Sequence, residues 1–191
     1  MPDREASCVY LQKAGPENTE RALELAGERA QELGLRHIVV ASTSGRTGAL
    51  AAEMLPAYHV VVVAHSAGFS RPNEQELQAE YRARIEFAGG DILIAQHALG
   101  GVARAVRRKM GTYQLDEVVA FVLRSFGEGI KVGCEITLMA TDAGLVPAGE
   151  EIIAIGGTGR GADTAAVILS ANAQDFFDLR VLEIVCKPRQ K

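Results

Sequence analysis

Apolar positions along the chain recur with two rhythms, one helical and one strand-like, and the two alternate. The segment NTERALELAGERAQELG sets Ala22, Leu25, Ala26 and Leu33 at helical spacing. A start signal at Asn18, an acid in the first turn at Glu20 and a stop at Gly34 frame it, which predicts a helix. His37 to Ala41 is a short β-branched run that predicts a strand. A polar loop and a small-residue helix from Thr47 to Leu55, stopped by Pro56, follow it. YHVVVVA, residues 58 to 64, is continuous rather than alternating and predicts a strand buried on both faces. HSAGFSRPN reads as a loop, and Glu74 to Ala88 as a surface helix capped at Asn73 and ended by Gly89. Ile92 to Ala95 is a third strand. Gly100 to Lys109 reads as helical, ending at Gly111. Thr112 then caps an amphipathic helix carrying Leu115, Val118, Val119, Val122, Leu123 and Phe126.

Alternating helices and strands imply a mainly parallel sheet with helices on both sides. The fold class expected is α/β, a three-layer doubly wound sheet. KVGCEITLMATDAGLVP suits either a strand, through Val132, Ile136, Thr137 and Leu138, or a helix, through its length and its Glu and Ala content; the helix is favoured. Glu151 to Ile155, Thr164 to Leu169 and Leu179 to Val185 read as strands, the last two antiparallel because no helix separates them. The 191 residues suffice for one well-buried core, and residues 1–191 are read as a single domain.

Composition narrows the function. Apolar residues make up 48% and charged residues 23% of the chain, an ordinary globular balance. The net charge of −4 argues against a general nucleic-acid binder, which usually carries a basic excess. No run approaches the roughly 20 apolar residues of a membrane span, and MPDREASC lacks the regions of a secretory signal, so a cytoplasmic location is expected. Cys8, Cys134 and Cys186 show no metal or redox spacing and read as buried small apolar residues.

Ligands of open parallel sheets bind beyond the carboxyl ends of the strands. Three polar, glycine-containing loops follow predicted strands there: 42 to 47, 65 to 73 and 156 to 163. In the first, Ser42-Thr43-Ser44-Gly45-Arg46-Thr47, Gly45 lets the backbone turn and the hydroxyls can donate. Arg46 adds a forked cation, and the helix turns its positive end to the same place. Phosphate suits such a loop. A plain helix cap at Ser44 or Thr47 with a solvated Arg46 explains the spacing equally well. Neither a Walker A loop nor GxGxxG is present. The third loop, with Gly156, Gly157, Gly159 and Gly161 around Thr158, Arg160 and Asp163, is either a flexible turn or a close approach of backbone to ligand. If the loops share one sheet edge, Arg46, Thr158 and Arg160 converge.

Asn18 and Thr19 read first as a cap, Thr141 and Asp142 as a helix terminus or cleft residues. His65 and His97 sit just after strands, where a general base could lie. Arg104, Arg107, Arg108 and Lys109 form a basic face at a helix end, where the negative end of the helix dipole favours them. No catalytic triad, metal-ligand spacing or paired carboxylates stand out.

Residues 42 to 47 resemble the phosphate loop of the pyruvate kinase carboxyl-terminal domain, usually written T-K-S-G-R-S. Ser44, Gly45 and Arg46 match, Ser42 and Thr47 replace the outer hydroxyls, and Thr43 stands where that pattern has lysine. GEEIIAIGGTGRGADTAAVI is similar to the same domain's late strand, glycine-rich loop and next strand. More closely, YLQKAGPENTERALELA, KVGCEITLMATDAG, RGADTAAVI and NAQDFFDLRVLEIVCKPR resemble a family of small stand-alone archaeal and bacterial proteins described as the pyruvate kinase α/β domain.

That resemblance implies about five strands and a helix over 130 to 146. It also implies a pocket for flavin mononucleotide with no established reaction. Pyruvate kinase activity is not expected, since the catalytic barrel alone needs roughly 200 residues. A flavoprotein would hold the phosphate at Ser42, Thr43, Ser44, Gly45, Arg46 and Thr47. Its ring would lie against His65, Phe69 or the glycine-rich loop, with Asn18, Thr141, Asp142 and residues 156 to 163 completing the cleft. Two alternatives stay open: an enzyme using His65, Asp142 or Asp163 as acid or base, and an effector-sensing module. A homo-oligomer is compatible with either.

Overall fold

The structure, a computed structural model, describes residue 3 and residues 5–190. Along the chain run β1 (Val9–Leu11), α1 (Thr19–Leu33), β2 (His37–Ala41), α2 (Arg46–Met54), β3 (His59–His65), α3 (Ala79–Phe87) and β4 (Asp91–Ala95). Then come α4 (Val102–Met110), α5 (Leu115–Arg124), α6 (Glu128–Asp142), β5 (Glu151–Gly156), β6 (Thr164–Leu169) and β7 (Arg180–Pro188), with single 3-10 turns at Pro16–Asn18 and Ala173–Asp178.

All seven strands form one sheet in the order β1-β7-β6-β5-β2-β3-β4. The β5, β2, β3 and β4 strands run parallel in register, with Ile38 opposite both Val60 and Ile153. Only β6 is reversed, pairing antiparallel with β5 and with β7, while β1 runs parallel to β7 at the edge. The protein is therefore the expected α/β sandwich, with two strands more than the resemblance implied. The extra edge strand β1 spans three residues, too few to carry a period.

Alternate residues of the central strands feed two cores. Ile38, Val40, Val60, Val62, Ile153 and Ile155 pack under α1, α2 and Ile85 of α3. Val39, Val61, Val63, Ile152 and Ala154 pack under Ile130, Cys134, Ile136 and Met139 of α6. Because both faces are covered, β2 and β3 read as continuous apolar runs rather than alternating ones. The ambiguous KVGCEITLMATDAGLVP segment is helical, as favoured. It is buried almost all round, which is why its strand-forming residues gave a mixed signal. Among the described residues no helix is long and apolar enough to cross a membrane.

Three local expectations need correcting. The helix expected over Glu74 to Ala88 begins only at Ala79. Residues 74 to 78 are drawn onto neighbouring elements: the Gln75 side chain donates to the His65 carbonyl, the Glu76 carboxylate bonds the His65 ring, and the Gln78 backbone N–H donates to the Ser44 carbonyl. Asn73 is not a cap but a left-handed turn residue, φ 64°. Thr112 does not cap α5; its hydroxyl accepts from the Gln114 side chain. Asn18 makes no cap bond either, and its amide instead donates to the Lys13 and Gly15 carbonyls, holding the turn ahead of α1.

Cys134 and Cys186 are buried as expected, whereas Cys8 is only half-buried. Burial raises the Cys134 thiol to about 12 and the Cys186 thiol to about 11, which suppresses the reactive thiolate. An alkylating reagent applied at about pH 8 should therefore modify Cys8 alone in the native protein, and all three cysteines in denaturant. Mass spectrometry after quenching counts the labels; rapid native labelling of Cys134 would contradict this packing.

Candidate functional site

The chain leaves β2 toward β3 on one side and comes back as β5 on the other, so strand order reverses at β2. Helices leaving such neighbours diverge to opposite faces and open a crevice at the strands' carboxyl ends. A cleft of about 1670 Å³ lies there. All three predicted loops line it, through Ser42 to Ser44, Arg46 and Thr47, through His65 and Phe69, and through Gly157 to Gly161, and Glu74 to Glu76, expected to be helical, join them.

Gly45 shapes the first loop. It adopts φ 93°, and a Cβ there would come within 2.6 Å of Leu77 and 2.7 Å of Tyr81. The Ser42 hydroxyl is buried and accepts the Gly48 amide at 3.1 Å, so it satisfies the start of α2 from inside. The Ser44 hydroxyl lies 3.5 Å from the Arg46 amide. Among the described residues, the amides of Ser44, Gly45 and Thr47 donate to no protein group. These unpaired amides lie at the positive end of the α2 dipole, beside the exposed Arg46 guanidinium,.

The glycine-rich loop is held from behind. Buried Asp163 accepts from the Gly15 amide, the Thr158 amide and the Thr164 hydroxyl, at 3.2, 3.1 and 2.8 Å. Its carboxylate faces the protein rather than the cleft, so it positions the loop. Thr19 accepts the Ala162 amide, and a Cβ on Gly161 would meet Pro16 and Thr19 at 2.5 Å. Close approach to the start of α1, rather than flexibility, explains this glycine. Gly156 serves packing as well, since a Cβ there would lie 2.6 Å from the Gly129 carbonyl of α6. That leaves Gly157, Thr158, Gly159, Arg160 and Gly161 facing the cleft.

The second loop carries an aromatic group. His65 lies 4.0 Å from Phe69 and 4.9 Å from His97 between ring centroids, Phe69 stacks on His97 at 4.8 Å, and the Arg104 guanidinium sits 5.0 Å from the Phe69 ring. The Nδ1–H of His65 donates to Glu76 at 2.9 Å, leaving Nε2 to accept the Thr43 hydroxyl at 3.3 Å. This tautomer follows from a carboxylate being acceptor only. The same bond holds Glu76 below the usual carboxylate range. Burial pushes His97 down to about 4, so it is neutral at neutral pH.

Among the described residues Arg46, Arg104 and Arg160 form no ion pair, while the carboxylates of Glu76, Glu128 and Glu135 in the cleft wall are each paired, with His65, Arg124 and Lys131. Glu17, Glu20 and Glu74 also face the cleft.

Asn18, Thr141 and Asp142 do not line the cleft. Thr141 bonds back to the Thr137 carbonyl within α6, and Asp142, at that helix's far end, accepts from Asn172 and Ala173. Sequence reading overlooked Lys131 and Glu135. They are buried, ion-paired one turn apart on α6, and face the cleft. Glu135 also accepts the Leu99 amide at 2.9 Å, which fixes the loop carrying His97 against α6. The detectable signal was opposite charges four apart in a helix otherwise apolar on every side.

The sequence pattern of the family described as "Pyruvate kinase, alpha/beta domain" matches residues 20–168. The chain belongs to this family. Among solved structures, this pyruvate kinase alpha/beta domain is similar to a pyruvate kinase from Cryptosporidium parvum, at 14% identity over 80% of this chain and 23% of that one, with a TM-score of 0.43. A Cryptosporidium parvum pyruvate kinase in complex with ADP gives 14% identity, 80% and 24% coverage, and a TM-score of 0.43. An NH3-dependent NAD synthetase from Campylobacter jejuni matches at 13% identity over 71% of this chain and 54% of its own, with a TM-score of 0.38. The alpha/beta domain thus spans about a quarter of the length of the pyruvate kinases it matches.

One consequence for this alpha/beta domain concerns pH. His97 stays neutral in the folded state down to about 4, whereas an unfolded histidine takes up its proton near 6.5. Between those values the unfolded state binds more protons, so stability falls as pH drops through the interval. Replacing His97 with Gln should flatten the decline of melting temperature across it, as followed by circular dichroism. An unchanged slope would contradict a buried neutral ring.

Proposed function

We propose that this alpha/beta domain binds a phosphorylated small ligand with a planar ring, and that flavin mononucleotide is that ligand. The observation that carries the reading is that one cleft holds two unlike subsites joined by His65. The open amides of Ser44, Gly45 and Thr47 with Arg46 suit a phosphate, and Thr158 and Arg160 face the same space. His65, Phe69 and His97 offer a ring an apolar wall, with Arg104 against Phe69. The guanidiniums of Arg46, Arg104 and Arg160, unpaired among the described residues, can offer a dianion charge-assisted bonds,. The family resemblance supplies the flavin itself, and the donor set fits its phosphate. When bound, a flavin would bring redox chemistry; the chain's residues would bind and orient it.

Flavin mononucleotide added to the protein should quench its own fluorescence on binding. Replacing Arg46 with Ala should weaken that affinity by roughly 10- to 100-fold, the worth of a charge-assisted phosphate contact. Riboflavin, which lacks the phosphate, should bind both proteins equally. Protein purified without flavin and showing no affinity for flavin mononucleotide in titration would end the reading.

A second reading, an enzyme acting on a phosphorylated metabolite, draws on the Thr43–His65–Glu76 chain of hydrogen bonds. A carboxylate that orients an imidazole toward a hydroxyl is the arrangement acid–base catalysis uses. In a screen of phosphorylated metabolites, His65→Ala should abolish turnover and keep binding. Absence of turnover by the unaltered protein, with and without flavin, would discard this reading.

A further inference from the structure

Helix α5 is amphipathic as expected, yet it is mounted the wrong way round for a solvent-facing helix. Its buried side holds Glu117 and Ala120, and Glu117 is ion-paired with Arg107 at 2.9 Å. Its outward stripe consists of Leu115, Val118, Phe121, Val122 and Ser125, continued by Phe126 just beyond the helix, and contains no charged residue. Leu115 is 79% exposed and Val122 61%. Tyr113 extends the patch, its ring 5.5 Å from that of Phe121. A contiguous exposed apolar patch of this kind marks an interaction surface rather than ordinary surface variation.

We propose that this stripe is a two-fold interface at which α5 packs antiparallel on α5 of a second copy. An interface between identical copies joins one patch to itself, so the patch has to be self-complementary. The stripe meets that condition. Laid antiparallel about Ala120, it sets Val118 against Val122 and Leu115 against Ser125 with Phe126 beside it, and it brings no like charges of the stripe together. Size agrees as well. The six large side chains from Tyr113 to Phe126 offer roughly 100 Å² each, about 600 Å² in all, against the roughly 800 Å² per partner that a stable interface buries. Polar groups at the rim supply the remainder, as at other interfaces. Arg107 and Arg124, held over Tyr113 and Phe121, border the patch with cations already neutralised by Glu117 and Glu128. Such a border gives an anionic lipid surface little to attract.

Sedimentation equilibrium over a concentration series up to about 100 μM tests this. The unaltered protein should show twice the chain mass, or an even multiple of it. Val118→Glu and Val122→Lys should each halve that mass with unchanged circular dichroism, because both positions are exposed and their replacement leaves the core intact. Mixing the two variants should restore the dimer, since the antiparallel pairing sets Glu against Lys. A monomeric unaltered protein, or folded variants that keep its mass, would overturn the proposal; so would a mixture that stays monomeric. Flotation of the unaltered protein with anionic vesicles, lost on Val122→Lys, would assign the stripe to a membrane surface instead.

Discussion

The reversal of strand order at β2 is the constraint on which the rest depends. Since β3 and β5 flank β2 on opposite sides, the helices packed beside it, α2 and α6, lie on opposite faces of the sheet. Neither can roof the strand's carboxyl end. Every polar group delivered there, from three separate loops, is left around one crevice. The two apolar cores fix that geometry: a slip of β2 by a single residue would exchange Ile38 and Val40 with Val39, and put the wrong side chains under each helix layer.

Around the crevice, part of the charge is tied up in ion pairs and part is free. Three carboxylates in the wall, Glu76, Glu128 and Glu135, are tied to His65, Arg124 and Lys131, whereas the guanidiniums of Arg46, Arg104 and Arg160 are left unpaired among the described residues. Glu17 and Glu20 face the same cleft, so among the described residues its wall carries free charges of both signs. The buried Lys131–Glu135 pair is costly to desolvate and gains its place through an additional bond to the Leu99 amide,. That bond carries the loop bearing His97 to α6, so a pair that adds little to stability contributes to the shape of the wall.

Much of this was legible from residue types. Apolar periodicity located each helix and strand from α1 to β7, because helices and strands in a two-sided sheet bury fixed and different faces. Gly45 announced the turn into α2 for a local reason as well, since it sits at positive φ just ahead of the helix. Legibility failed where a side chain had a distant partner. Asp163 looked like a cleft acid, yet its oxygens are used by Gly15, Thr158 and Thr164. Residues 74 to 78 had helical composition, yet bonds to His65 and Ser44 hold them outside the helix.

By itself, then, the sequence determined the α/β class, the parallel central strands and the three polar loops, all of which follow from local periodicity and backbone preference. Tertiary structure alone decided that the loops share one cleft, that Lys131 and Glu135 join it while Asn18, Thr141 and Asp142 do not, and that α5 turns its apolar stripe outward. A helix's pattern reveals that it has two faces. Which face meets the protein depends on what else competes for the core, and here α6 had already filled it.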